Sequence, residues 1–241
     1  MTALRDGGLL SRDEFLARLR AEGARRYHDK HPVNRRMHEG ALSREELRAW
    51  VLNRYYYQTR IPIKDALILS KSEDIAFRRA WRTRIAEHDG DREGEGGLER
   101  WLRLAEGVGL RRDDVLALSG VLPAVRFACD AYVTFVRERS LLEAVASSLT
   151  ELFAPELMAT RIAAFRRHYP WVDPAALAYF EGRVSKAREE ADFALAFVLG
   201  RATSREDQER CVLALREKCD ILWAVLDALE VARAGQVGAH R

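Results

Sequence analysis

Apolar residues recur every three or four positions along most of the chain, the spacing of one face of an α-helix, and no stretch shows the two-residue alternation of a half-buried strand. Two helix starts are marked by capping boxes, in which a hydroxyl and a carboxylate satisfy orphan backbone N–H groups. Ser11-x-x-Glu14 is flanked by the hydrophobic pair Leu10 and Phe15, and Ser43-x-x-Glu46 by Leu42 and Leu47. They predict helices over 12–23 and 44–60, the second kinked or ended by Pro62. Asp173-Pro174 pairs an N-cap residue with a proline at the first helical position. Periodicity and breakers place further helices at 74–88, 98–106, 112–118, 124–139, 141–153, 156–168, 174–200 and 205–233. The pattern predicts an all-α protein, one helical domain over residues 1–241, with no repeat of fixed period.

Several apolar stripes carry charge. After Ser43 the stripe runs Leu47, Trp50, Val51, Arg54, Tyr55, Gln58, and after Asp74 it runs Phe77, Ala80, Trp81, Arg84, Ile85, His88. Later stripes place Tyr132 with Val125, Cys129 and Val136, Arg161 with Met158 and Phe165, and Lys218 with Leu215, Leu222 and Val225. Tyr179 and Arg183 form an i, i+4 pair beside Phe180 and Val184. One inward Arg or Lys is ordinarily explained by snorkelling or a carboxylate partner. Recurrence over several helices is harder to explain, because an unpaired buried cation is costly and Glu151 is the main inward acid set against Arg54, Arg84, Arg161, Arg183 and Lys218. The imbalance predicts a small polyanion in the interior, its carboxylates or phosphates gripped by guanidiniums.

Composition narrows the chemistry. Lys+Arg number 40 against 37 Asp+Glu, a net charge of +3 that does not indicate a strongly basic nucleic-acid surface. A hydrophobic share of 48% with 15 Gly and 6 Pro excludes a disordered or collagen-like chain. No run approaches the roughly 20 apolar residues of a membrane span, and the opening MTALRDGGLLSRDEF lacks the apolar core of a secretion signal, so a soluble, cytoplasmic protein is expected. Cys129, Cys211 and Cys219 are an odd number without a C-x-x-C pair and are read as core thiols. No histidine follows a Glu by three residues, as a di-iron bundle requires. His28-x-x-His31 has ligand-like spacing, but Pro32 follows at once and a loop or substrate-contacting role is expected, with no metal. The glycines between His88 and Leu98 lack GK[ST] and a preceding strand, which makes that segment a solvated connector.

Longer runs carry a family signature. Tyr27-His28-x-x-His31-Pro32, Asn53-Arg54-Tyr55-Tyr56-Tyr57-Gln58-Thr59-x-Ile61-Pro62-x-Lys64-Asp65, His88-Asp89-Gly90, Leu122-Pro123-x-Val125-Arg126-Phe127-Ala128-x-Asp130-Ala131-Tyr132, Ser147-Ser148-Leu149-Thr150-Glu151-Leu152-Phe153-Ala154-Pro155 and His168-Tyr169-Pro170-Trp171 strongly resemble the pyrroloquinoline-quinone synthase family, colinearly from about Ser11 to Ala232. The resemblance implies a haem-oxygenase-like helical bundle without haem, assembled as a homodimer. It implies the last step of pyrroloquinoline quinone (PQQ) biosynthesis: ring closure and eight-electron oxidation of the bicyclic precursor AHQQ by O2, with release of hydrogen peroxide. It further implies that no metal or organic cofactor takes part, that O2 is co-substrate and PQQ the product, and that the ligand is a small quinoline-type polycarboxylate rather than nucleic acid or membrane.

Carried over by position, Arg54, Gln58, Lys64, Arg161 and Lys218 hold substrate carboxylates and carbonyls, and Tyr27, His28, Arg84, Tyr132 and Glu151 complete the pocket. His88, Tyr179 and Arg183 resemble the residues around the ring-closing and oxygen-activating centre, with His28 a further proton-handling residue. One position departs from the family pattern: Phe153-Ala154-Pro155-Glu156-Leu157-Met158 has a thioether where the family motif continues to a histidine. Two alternatives stand beside the synthase reading. One is a homologue that binds or sequesters the precursor; the other is a thiaminase-like member of the same architecture with Cys129 as nucleophile.

Overall fold

Both capping boxes form. Ser11 Oγ accepts from the Glu14 N–H while Glu14 accepts from the Ser11 N–H, opening α1 (Arg12–Arg26), and Ser43 with Glu46 opens α3 (Arg44–Ser70) in the same way, α2 (Pro32–His38) lying between. The computed structural model describes residues 8–239; residues 1–7 and 240–241, the two ends of the predicted domain, lie outside it. From α3 the chain continues through α4 (Ile75–Trp81), α5 (Thr83–Asp89), α6 (Gly96–Gly107), α7 (Arg112–Leu116), α8 (Pro123–Glu138), α9 (Leu141–Ser147), α10 (Ala154–His168), α11 (Ala178–Arg201) and α12 (Arg205–Ala239). Short 3-10 turns fill His28–Lys30, Ser148–Leu152 and Pro174–Leu177, and no strand occurs among the described residues.

The all-α prediction holds, with corrections that have local causes. Pro62 does not end the second helix: α3 runs through it to Ser70, and buried Ile61, Lys64, Asp65 and Ile68 hold the turns on either side against the loss of the proline's N–H bond to the Gln58 carbonyl. The predicted 74–88 helix divides at Arg82, where the Thr83 hydroxyl donates to the Ala80 carbonyl (2.8 Å) and so competes with the helix ladder. The predicted 141–153 and 174–200 helices contain the 3-10 turns Ser148–Leu152 and Pro174–Leu177. The helix Pro32–His38 is absent from the prediction because its cap is unconventional. His31 Nδ1 accepts from the Val33 N–H (3.1 Å) and Pro32 occupies the first helical position.

Packing places α3 against α8, α10 against α11, and α12 against α1, α8 and α9. Two apolar clusters result. One gathers Phe77, Trp81, Val125, Tyr132, Leu215 and Leu222; the other gathers Trp50, Trp101, Phe165, Tyr179 and Phe180. The long helices α3, α11 and α12 each give residues to both clusters or to the layer packed on them, so polar side chains on these helices are carried to the seam between the two cores.

Candidate active site

Of the thirteen residues singled out by sequence, Tyr27, His28, Arg54, Gln58, Lys64, Arg84, His88, Tyr132, Arg161, Tyr179, Arg183 and Lys218 are buried, and Glu151 is partly exposed. They come together in two adjoining groups.

The first group is cationic and short of acids. Arg54 on α3, Arg161 on α10 and Lys218 on α12 reach no carboxylate among the described residues, and they are held mainly by aromatic faces and neutral oxygens. The Arg54 guanidinium lies 3.9 Å from the Tyr57 ring centre with its Nη1 buried and unpartnered. Arg161 lies over Trp50 and Phe180, donates to Asn34 Oδ1 (3.0 Å), and keeps a buried Nε without a partner. Lys218 Nζ donates to Tyr57 Oη (2.7 Å) and sits 3.3 Å from the Tyr132 ring centre. Cation–π contact recovers part of the lost hydration but no charge. Burial, with Arg54 as neighbour, pulls Arg161 down to about 9, and burial beside Lys64 and Arg54 pulls Lys218 well below the ordinary lysine range. An arriving anion would reverse both.

The second group is paired, which corrects the expected shortage of interior acid. Asp65 lies 2.6 Å from Lys64 Nζ and 3.7 Å from Arg84, and it accepts from Trp81 Nε1 (3.0 Å). Glu190 accepts from Arg183 Nη1 and Nη2 (3.0 and 2.8 Å) and lies 3.4 Å from Arg84, while Glu151 accepts from Arg183 at 2.8 Å. Arg84 and Arg183 hold the Glu190 carboxyl down to about 2 although its burial opposes this. The negative charge of Glu151 also opposes ionisation of Tyr27, Tyr57 and Tyr179, which places it electrostatically between the two groups. The sequence reading missed Asp65 and Glu190, although a signal existed. Glu190 lies seven residues from Arg183, on the face that also carries buried Ala187, Ala191 and Ala194, and Asp65 shares a face with Ile61 and Ile68. Tyr57 and Asn34 were missed as well, the former hidden in a run of three tyrosines.

Two histidines are presented oppositely. His88 Nδ1 donates to the Arg84 carbonyl (3.1 Å), so its Nε2 is left as an acceptor, and burial near Arg183 pushes its pKa down to about 4. His28 Nδ1 faces the Asn34 carboxamide nitrogen (3.2 Å), and burial among Arg54, Arg161 and Lys218 moves its pKa well below the ordinary value. His31 lies in the short loop before α2, where it caps that helix and reaches Asp227 Oδ1 (3.0 Å) with Nε2. Tyr179 Oη donates to Gln58 Oε1 (2.9 Å), which joins α11 to α3, and Tyr132 Oη meets Ser147 Oγ at 3.2 Å.

Cys129 is fully buried, and burial pushes its thiol up to about 11, the opposite of what a nucleophile needs; Cys211 and Cys219 are buried too. Met158 packs in the apolar cluster that contains Tyr179 and Trp50. A cleft of about 280 Å³ lined by Trp81, Arg84, Glu190 and Phe193 reaches the outer edge of the paired group. A groove of about 640 Å³ between α2, α3, α12 and the turn before α8 contains none of the thirteen residues. No set of three or more His, Cys, Asp or Glu among the described residues is arranged to hold a metal ion.

A bundle of this architecture with buried basic and phenolic groups at its centre matches the TENA/THI-4/PQQC family model over residues 16–228, and the chain belongs to that family, among its pyrroloquinoline-quinone synthases, and is an enzyme. It is 56% identical over 218 residues to the pyrroloquinoline-quinone synthase of Rhizobium meliloti, covering 90% of this chain and 85% of that one. To the protein of the same name from Gluconobacter oxydans it is 50% identical, covering 93% and 94%. The bifunctional coenzyme PQQ synthesis protein C/D of Methylorubrum extorquens is 54% identical, and there the chain covers 93% of itself but 60% of the relative's length. Among solved structures, a domain of unknown function with a heme oxygenase-like fold from Shewanella denitrificans superposes with a TM-score of 0.76 at 13% identity, covering 95% of this chain and 97% of that one. A TenA homolog from Pseudomonas syringae gives 0.71 at 14%, covering 95% and 99%. At these identities the structures establish the haem-oxygenase-like fold alone.

Proposed function

We propose that the chain catalyses the last step of PQQ biosynthesis: ring closure and eight-electron oxidation of AHQQ by O2, with hydrogen peroxide released. The observation that carries the reading is the group Arg54, Arg161 and Lys218, three buried cations with no carboxylate to meet them among the described residues, both guanidiniums keeping an unpartnered N–H. A precursor with several carboxylates supplies the missing charge, and bidentate guanidinium contacts orient it. Gln58 and Lys64 extend the binding set, while Tyr27, Tyr132 and Arg84 wall it.

The reaction needs proton transfers and a place for negative charge to develop on reduced oxygen. His88, with Nε2 unprotonated at neutral pH, accepts protons from the ring-closing intermediate. Reduced, quinol-like intermediates pass electrons to O2 directly, so neither metal nor organic cofactor is required of the protein. Tyr179 and Arg183 stabilise the resulting superoxide or peroxide anion, and burial strengthens each ionic contact. With Met158 unable to carry protons, His28 and His88 take that work between them. The proposal includes a homodimer in the cytoplasm. No described helix is long and apolar enough to cross a membrane.

Aerobic incubation of the purified protein with AHQQ tests the reading. Quinone absorbance and peroxide are expected, with Arg161→Met reducing the yield at least tenfold. A wild-type protein that binds AHQQ and returns it unchanged favours the sequestering alternative and overturns the proposal.

A further inference from the structure

Asn34 lies on α2, fully buried, and its two side-chain atoms meet two different elements of the site. Its Oδ1 accepts from Arg161 Nη2 (3.0 Å), and its Nδ2 donates to the His28 carbonyl (2.7 Å) and faces His28 Nδ1 at 3.2 Å. Arginine has no acceptor, so the oxygen of the carboxamide has to face Arg161 and the nitrogen has to face His28. A carboxamide nitrogen has only hydrogens to offer. His28 Nδ1 is therefore the acceptor of that contact, and the neutral ring carries its proton on Nε2.

We infer that Asn34 is a positioning residue, which ties the orientation of Arg161 to the tautomer of His28 and makes His28 a hydrogen-bond donor through Nε2. This rests on the proposed oxidation for its catalytic meaning. It divides the proton work: His88, whose Nδ1–H is taken by the Arg84 carbonyl, presents a lone pair, and His28 presents an N–H. A donor beside the unpaired cations suits a substrate carbonyl or carboxylate oxygen. The groups acting on His28 reinforce the neutral form. Arg54 from α3, Arg161 from α10, Lys218 from α12 and His31 before α2 all oppose a second proton, and Tyr27 packs edge-on against the ring at 4.5 Å between centroids.

Nitrogen-15 spectra of the ligand-free, full-length protein, with the histidine ring nitrogens correlated to their carbon-bound protons, test the assignment. Wild type is expected to show His28 as the Nε2–H tautomer at neutral pH; an Nδ1–H tautomer, or an imidazolium, overturns it. Asn34→Asp keeps an acceptor for Arg161 but offers His28 no N–H, so Nδ1 is expected to gain a proton. With AHQQ and oxygen, Asn34→Asp is then expected to lower kcat by about a hundredfold, the scale of one misplaced acid or base group. An altered tautomer with full kcat overturns the positioning role. The wild-type spectrum needs neither a folded variant nor substrate, so the assignment of His28 and the proposed reaction fail on different measurements.

Discussion

Burial sets the protonation of the site residues, and it does so with a sign that can be checked. His88 is pushed from 6.5 down to about 4, so between those values the unfolded chain binds a proton that the folded chain refuses. Stability is therefore expected to rise with pH from about 4 to about 6.5 and to be lost as pH falls through that window. At about 1.4 kcal/mol per pKa unit, His88 alone contributes roughly 3 kcal/mol. Denaturant titrations across this range check it: His88→Asn is expected to flatten the slope, and an unchanged slope contradicts the burial. Glu190, held at about 2, contributes stability above the carboxylate range that is lost only at lower pH, so the two effects separate. The unpaired cations give a second test. Lys218→Met is expected to stabilise the ligand-free protein by about 1–2 kcal/mol while abolishing turnover, because it removes a buried charge that only substrate compensates. Destabilisation of similar size would mean that the Tyr57 hydroxyl and the Tyr132 ring already compensate the Lys218 charge in the free protein. The inward positions of Arg54, Arg84, Arg161, Arg183 and Lys218 were legible from helical periodicity. That Arg84 is paired was not, since Asp65 from α3 and Glu190 from α11 reach it only through tertiary packing, whereas Glu190 shares α11 with Arg183, seven residues on, and that pairing could have been read.

Helix ends were readable wherever a side chain of the usual capping type announces them. Ser43→Ala is expected to cost about 1 kcal/mol by freeing the Glu46 N–H, with kcat unchanged, as thermal melts and rate measurements would show. Ends made by other means stayed hidden: His31 as the cap of α2, the Thr83 hydroxyl at the break before α5, and the passage of α3 through Pro62. The segment read as a solvated connector between His88 and Leu98 is pinched at its ends. Gly90 and Gly96 both have positive φ (80° and 87°), and a Cβ on Gly96 would lie 2.5 Å from the Gly90 nitrogen. Gly97, next along, backs onto the Tyr179 ring, where a Cβ would be 3.6 Å from Cε2. Gly96→Ala is therefore expected to lower stability and, by displacing the start of α6 beside Tyr179, to lower kcat more than it raises KM. Equal kinetics for variant and wild type would detach this turn from the site.

The chain as a whole carries a net charge of +3, a small figure over 241 residues that conceals where the charges lie. Two apolar cores meet along helices that bring cations to the seam, one group neutralised within the protein and the other left for a ligand. Fold class followed from periodicity alone, whereas the division of the interior into paired and unpaired halves needed the coordinates. Light scattering is expected to give a particle of twice the chain mass of 27.5 kDa, and a monomer at micromolar concentration would remove the homodimer from the proposal. The most direct test of the central claim is a two-stage mixing experiment. Protein and AHQQ are combined without oxygen and oxygen is then admitted. A spectral change is expected on anaerobic binding, then quinone absorbance and hydrogen peroxide once oxygen enters. Bound precursor that stays unoxidised over many minutes in oxygen would contradict the claim.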